Sequence, residues 1–333
     1  MQEYERNILD QYNIDVISTR KTRGAVLCDT KQGLFLLKEV SVSENRIPVL
    51  CELHEHLAKQ GYENIDRMIP DRSGNTIVCL EDGSKYILKR WFQGRECDIR
   101  KTPELLEAAG NLAKLHVIMK KNLEQKVPLS EHMKEVYLRH GRELKKVRRF
   151  MRGQSPKGEF EFAFLKCFDQ MYQWADAAED LLEHSGYDRL YQESAENYCM
   201  THGEYNYHNI LMQREEYRPG VEATTNFGKF KRDVQVEDLY YFLRKIMEKH
   251  GWKERLGDNI LNAYSAIKPL SEEEMEYMKI RLAYPEKFWK IASSYYHSNK
   301  AWISIKSIEK LQTAIFQTKE KERFLENIFE FHL

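Results

Sequence analysis

Apolar residues in the first ninety positions tend to recur at every second residue, whereas from about residue 96 they recur at every third and fourth, so strands come first and helices after. Ile14-Asp15-Val16-Ile17 is short and alternating, and residues 24–28 and 34–40 flank the turn-like Asp29-Thr30-Lys31-Gln32-Gly33. Residues 76–80 and 86–91 bracket Asp82-Gly83, a strong hairpin signal. Between these groups Ile47, Leu50, Leu53 and Leu57 repeat at helical spacing over residues 43–60, with Ser43 at the N-cap and Gly61 just past the end. The pattern predicts a five-stranded antiparallel sheet carrying one helix. Thr102-Pro103-Glu104 then starts a helix whose face continues through Leu105, Ala109, Leu112, Ala113 and His116. The Gly-containing joint Phe92-Gln93-Gly94-Arg95 divides the chain into a strand-rich part, 1–92, and a helix-rich part, 93–333, an α+β arrangement.

The 333 residues are 42% hydrophobic and 31% charged, enough apolar material for a real core, which excludes a disordered chain. Basic and acidic residues balance at 52 each, which disfavours a nucleic-acid coat or an acidic tail while leaving room for a local basic patch. The start Gln2-Glu3-Tyr4-Glu5-Arg6 lacks the basic and apolar pattern of a secretion signal, and no apolar run approaches the roughly 18 residues of a spanning helix. Neither secretion nor a membrane is expected. Cys28, Cys51, Cys79, Cys97, Cys167 and Cys199 show no metal-ligand spacing and are read as reduced, mostly buried thiols.

The stretch Thr201-His202-Gly203-Glu204-Tyr205-Asn206-Tyr207-His208-Asn209 sets a carboxylate five residues before an Asn, ahead of the apolar Ile210-Leu211-Met212. In phosphoryl transfer such a carboxylate accepts the substrate hydroxyl proton, and such an Asn holds magnesium. Asn226-Phe227-Gly228 follows, and Val236-Glu237-Asp238-Leu239 opens an amphipathic helix. These residues resemble the aminoglycoside phosphotransferase and choline-kinase branch of the protein-kinase-like fold, and within it the bacterial spore coat protein S (CotS-type) family. The resemblance spans roughly residues 10–300 and is weakest over 122–198. It implies a bilobal fold with a small sheet-bearing lobe and a mainly helical large lobe, the catalytic-loop-like segment lying at 199–228.

The resemblance also implies roles. Lys38, on the third strand, would reach nucleotide phosphates, with Glu52 on the following helix as its partner and Glu55 as a close competitor; a lone strand lysine is otherwise simply solvated. Phe92 sits where an adenine would rest, or serves as a hydrophobic joint. Glu204 stands at the catalytic base position, Asn209 and Asn226 at the metal positions, and His202 and Asp238 at positions that brace the loop. Tyr205, Tyr207 and His208 either touch substrate or pack, and His116 reads as a core residue.

Three departures from the family pattern matter. Glu204 replaces the catalytic Asp and is longer by about 1.5 Å, where a misplacement of about 1 Å costs roughly a hundredfold in rate. Asn226 replaces a metal-binding Asp and loses its charge. The turn Thr19-Arg20-Lys21-Thr22-Arg23-Gly24 has one glycine where a phosphate-covering loop wants several close backbone N–H groups, and its three basic side chains are read either as holding a phosphate by charge or as a solvated hairpin. ATP and Mg2+ are therefore expected to bind weakly or not at all.

The expected function is a spore coat protein with a degenerate, inactive phosphotransferase fold acting as a structural or binding component. The alternatives are an ATP-dependent small-molecule phosphotransferase and a nucleotide-binding regulator. The implied partners are other spore coat proteins and, if chemistry persists, a small-molecule acceptor, with no specific nucleic acid. The implied location is the spore coat after cytoplasmic synthesis. The basic residues Arg139, Arg142, Lys145, Lys146, Arg148, Arg149 and Arg152 are read either as a solvated helix face or as a dock for an acidic partner.

Overall fold

The alternation in the first ninety residues sorts side chains to two faces of one sheet. A computed structural model describes residues 2–22, 24–213, 220–298 and 305–332. Residues 1–128 with 198–232 cluster as one unit, and 129–197 with 233–333 as a second. The first unit opens with α1 (Glu3–Leu9), β1 (Val16–Thr22), β2 (Ala25–Thr30), β3 (Gly33–Glu39) and α2 (Arg46–Lys59), followed by β4 (Met68–Ile69), β5 (Val78–Cys79) and β6 (Lys85–Arg90). The sheet is antiparallel in the order β1-β2-β3-β6-β4, with β5 also pairing β6. It thus has six strands where five are predicted, because the two-residue β4 is too short to show a period.

Val26, Cys28, Phe35, Leu37 and Leu88 fill one face of the sheet and pack against Ile8, Leu9 and Tyr12 at α1, a helix the sequence reading did not anticipate. On β3 and β6 the register pairs Leu36 with Lys89 and Lys38 with Ile87, so Lys38 and Lys89 are diagonal neighbours on the opposite face. Thr19–Thr22 extend β1 by pairing with residues 25–28, so this segment is a solvated hairpin with Arg20 and Lys21 exposed on its strand; Arg23 lies outside the described residues. One other expectation is corrected. Helix α2 starts at Arg46 instead of residue 43, with Pro48 in the first turn, where its missing N–H costs nothing.

The same unit continues with β7 (Arg95–Glu96), α3 (Thr102–Ile118), β8 (Met200–Thr201), β9 (Ile210–Met212), β10 (Val221–Thr224) and β11 (Lys231–Arg232). Strands β10-β9-β7 form a small sheet and β11-β8 a pair, which together fix both ends of the 202–209 loop. His116 is buried on α3, as its helical phase predicts.

The second unit is helical throughout its named elements: α4 (Met133–Gly153), α5 (Glu159–His184), α6 (Tyr187–Glu196), α7 (Val236–His250), α8 (Glu254–Ser265), α9 (Glu272–Ala283), α10 (Glu286–Tyr296), α11 (Ile305–Phe316) and α12 (Thr318–Phe329). Stacked rings, Phe164 on Phe288 and Tyr137 on Tyr284, join α5 and α4 to the α9–α10 region. The basic residues of α4 divide: Arg148 pairs with Asp169 and lies over Phe168, whereas Arg142, Arg149 and Arg152 are exposed. All six cysteines are free thiols, four of them buried. Among the described residues no helix is long and apolar enough to cross a membrane.

Candidate functional site

The site is built from the 202–209 loop, the 226–229 turn and the lysine-bearing face of the large sheet, all within the first unit. A cavity of about 510 Å³ opens there, and its wall includes Lys38, Lys89, Glu204, Asn209, Asn226 and Lys229. The structure thus brings together Lys38, Glu204, Asn209 and Asn226 from the sequence-predicted residues.

Backbone geometry sets the loop. Gly203 has φ of +79°, and a Cβ there would stand 2.1 Å from the carbonyl oxygen of Lys229, so only glycine allows the loop and the turn to meet. His202 is fully buried; its Nδ1 accepts the Glu204 N–H at 3.2 Å, so Nε2 carries the proton and donates to the Thr225 carbonyl at 3.0 Å. These two bonds tie the start of the loop to the 225 backbone. The Glu204 carbonyl accepts from both Asn206 Nδ2 and Asn209 Nδ2 at 2.9 Å, folding the loop back on itself. Tyr205 is buried and donates to the Ala108 carbonyl, and Asn111 Nδ2 donates to the Tyr205 hydroxyl, so it packs and does not face a ligand. His208 is exposed and bonded to Glu96.

The polar ends are committed to one another. The Glu204 carboxylate pairs with the Lys229 ammonium at 3.0 Å. Asn226 Nδ2 donates to Asn209 Oδ1 at 2.8 Å, an amide pair at the two positions where the family resemblance puts metal ligands. Asn226 adopts the left-handed backbone conformation, φ +65°, that Asn tolerates better than most residues. Magnesium in phosphate sites is held by one or two carboxylates with the phosphates. Here the one carboxylate in the cavity wall is bonded to a lysine, and the Asn209 oxygen is taken by an amide. Among the described residues no three His, Cys, Asp or Glu side chains come together as metal ligands. This donor set does not fit a resident divalent cation.

Glu52 does not meet Lys38. Its carboxylate accepts the backbone N–H groups of Glu124 and Gln125, and Glu55 is exposed. Leu50 is the α2 residue in the cavity wall, and His54, one turn on, is buried with its ring edge-on to Phe227 at 5.4 Å. Among the described residues neither ring nitrogen of His54 has a hydrogen-bond partner, and burial, only partly offset by the nearby Asp66 carboxylate, pushes its pKa down to about 4. The carboxylate beside the strand lysines is Asp66, which is fully buried, 2.7 Å from Lys89 Nζ, and accepts the Asn226 N–H on both oxygens at 3.1 Å. Burial alone would raise the Asp66 carboxyl, but Lys89, His54 and the Asn226 N–H together hold it below the usual carboxylate range. Lys38, half-buried, makes no ion pair among the described residues, and burial and the Lys89 cation lower its ammonium below the ordinary lysine value. Sequence reasoning missed Asp66 and Lys89. Lys89 had a faint signal, a charge in phase with the inward Ile87; Asp66, in the irregular stretch after α2, had none.

Phe92 is buried with Leu211 and Ala223, Arg90 lies over its ring, and it does not line the cavity. Asp238 is buried in the first turn of α7, in the second unit.

A solved aminoglycoside phosphotransferase from Alicyclobacillus acidocaldarius superposes with a TM-score of 0.85 at 16% identity, covering 98% of this chain and 95% of that one. A spectinomycin phosphotransferase, solved with ADP and spectinomycin, gives 0.65 at 12% identity, covering 96% and 99%. The fold is therefore protein-kinase-like. In sequence, spore coat protein S of Bacillus subtilis strain 168 is 25% identical over 346 residues, 99% of this chain and 96% of that protein. A family model described as "Spore coat putative kinase YutH" matches residues 5–328, and the chain belongs to that family of kinase-like spore coat proteins.

Proposed function

We propose that this chain is a spore coat component that keeps the kinase-like cavity as a binding site and has lost efficient phosphoryl transfer. The observation that carries the reading is the amide pair. With Asn226 bonded to Asn209, the charge-neutralising element of phosphoryl transfer has no carboxylate to hold it. The second loss is at Glu204, whose side chain is longer than the Asp of the family pattern and therefore carries the candidate base away from the position an Asp would hold. Positioning and electrostatics carry nearly all catalysis in this chemistry, and the two changes remove one of each. The ADP in the spectinomycin phosphotransferase supports a nucleotide-like ligand, and the name of the Bacillus subtilis relative supports residence in the coat among other coat proteins.

A second reading, an ATP-dependent small-molecule phosphotransferase, is favoured by the meeting of Lys38, Asn209 and the Glu204 carboxylate in one cavity. The two readings separate in the spore. Glu204→Gln, placed in the host's own copy, removes the candidate base while keeping its shape. A structural or binding role predicts coat incorporation and spore resistance equal to the unmodified strain. Loss of resistance with incorporation intact, for a variant that purifies folded, would move the assignment to the enzyme.

A further inference from the structure

The cavity wall carries three lysines, Lys38, Lys89 and Lys229, against one carboxylate, Glu204, with the second carboxylate, Asp66, buried behind Lys89. Lys89 is largely committed to Asp66, and Lys229 pairs with Glu204 while two-thirds of its side chain stays exposed, a surface pair weak enough for a phosphate group to compete with. Lys38 has no ion-pair partner among the described residues and is half-buried in the same wall. The sign of the cavity is thus positive without any added cation.

This changes what Asn226 does. A carboxylate at that position, beside Asn209, would repel a phosphate chain unless a divalent cation stood between them. A neutral amide removes that repulsion, and its bond to Asn209 keeps the amide pair closed. The same substitution that discards the metal makes the site more hospitable to a phosphate group arriving alone. Lys229, held at 3.0 Å by Glu204 and joined to the loop through the close approach at Gly203, stands where it can supply the missing charge.

We propose that the cavity binds a phosphate-chain anion of the nucleoside triphosphate type without a divalent cation, Lys38 and Lys229 supplying the positive charge that a metal supplies elsewhere. The inference rests on the reading that the cavity still binds a ligand, and adds which ligand form it takes.

The test is calorimetric titration of the full-length protein with ATP, and separately with tripolyphosphate, in EDTA and in excess magnesium. ATP is expected to bind in EDTA at least as tightly as with magnesium, and to weaken as salt rises. Tripolyphosphate should compete, since the phosphate chain makes the charged contacts. Lys38→Gln and Lys229→Gln should each weaken metal-free binding about tenfold, whereas Lys145→Gln, an exposed lysine of α4, should leave it unchanged. Asn226→Asp should invert the preference, making binding depend on magnesium. Binding seen only with magnesium, or metal-free binding untouched by both cavity lysine variants, would overturn the inference. Failure of every probe to bind would overturn it too, yet leave the loss of transfer standing; magnesium-dependent turnover would instead overturn that loss.

Discussion

Replacing Asp66 by Asn tests the buried ion pair that supports the site. Asp66 has no solvent exposure, its Oδ2 lies 2.7 Å from Lys89 Nζ, and the Lys89 side chain is only 10% exposed. Asp66→Asn keeps the volume and removes the charge, leaving a buried ammonium uncompensated and the Asn226 N–H with a weaker acceptor. Breaking a buried pair from one side costs about 3–5 kcal/mol. Lys89→Met breaks it from the other side and should cost a similar amount. The double variant exchanges the pair for a neutral couple and should lose no more than about 2 kcal/mol, because removing both charges also removes their desolvation cost. Because the Asp66 carboxyl is held below its ordinary range, the pair's contribution is present above the unfolded carboxylate pKa and is lost as pH falls through the folded value. Urea denaturation followed by circular dichroism at pH 7.5, with all four proteins fitted for midpoint and slope, gives the cycle. Single variants that each lose less than 1 kcal/mol, or a double variant whose loss is the sum of the singles, would refute the coupling.

Three further outcomes follow from particular residues. His54, with its pKa pushed down to about 4 from 6.5, contributes stability that is present above pH 6.5 and is lost as pH falls toward 4, about 2 kcal/mol by pH 5; His54→Leu should remove that share of the acid loss while changing stability at pH 7.5 little, as paired urea titrations at the two pH values will show. Gly203→Ala forces a Cβ into the Lys229 carbonyl at a positive φ, and should cost about 2–5 kcal/mol in urea midpoint measurements; a loss below 1 kcal/mol contradicts the close approach. Reversing Arg142, Lys145 and Arg149 to Glu should leave folding intact, since all three are exposed, and should weaken coat incorporation if this face docks an acidic partner; unchanged incorporation leaves it a solvated face.

Local pattern carried much of the fold. The strand alternation at 24–28, 34–40 and 86–91, the helical spacing of Ile47 to Leu57 and the Pro at the start of α3 all appear where side-chain period and turn chemistry put them. The meeting of Glu204, Asn209 and Asn226 was legible because loop motifs of a shared fold keep their spacing. What stayed hidden depends on contacts distant in sequence. Asp66 gains its meaning from Lys89 and from Asn226, 160 residues away, and no periodicity in the intervening chain marks that meeting. The resemblance implies Glu52 as the partner of Lys38, yet α2 turns that carboxylate to the 124–125 backbone, while His54, two residues on and so on a different side of the helix, is buried. Strand β4 is two residues long, and α1 shows its apolar side only when the sheet it covers is in place.

The loss of phosphoryl transfer is tested most directly by incubating the unmodified protein with ATP and magnesium, with and without hydroxyl- and amino-bearing acceptors, and following phosphate release and new phosphoryl signals by phosphorus NMR. Glu204→Asp, Asn226→Asp and the double variant run alongside. The unmodified chain should release no phosphate above the protein-free rate, and magnesium-dependent hydrolysis should emerge first in the double variant, where base position and metal carboxylate are both restored. Sustained magnesium-dependent turnover by the unmodified protein would contradict the account.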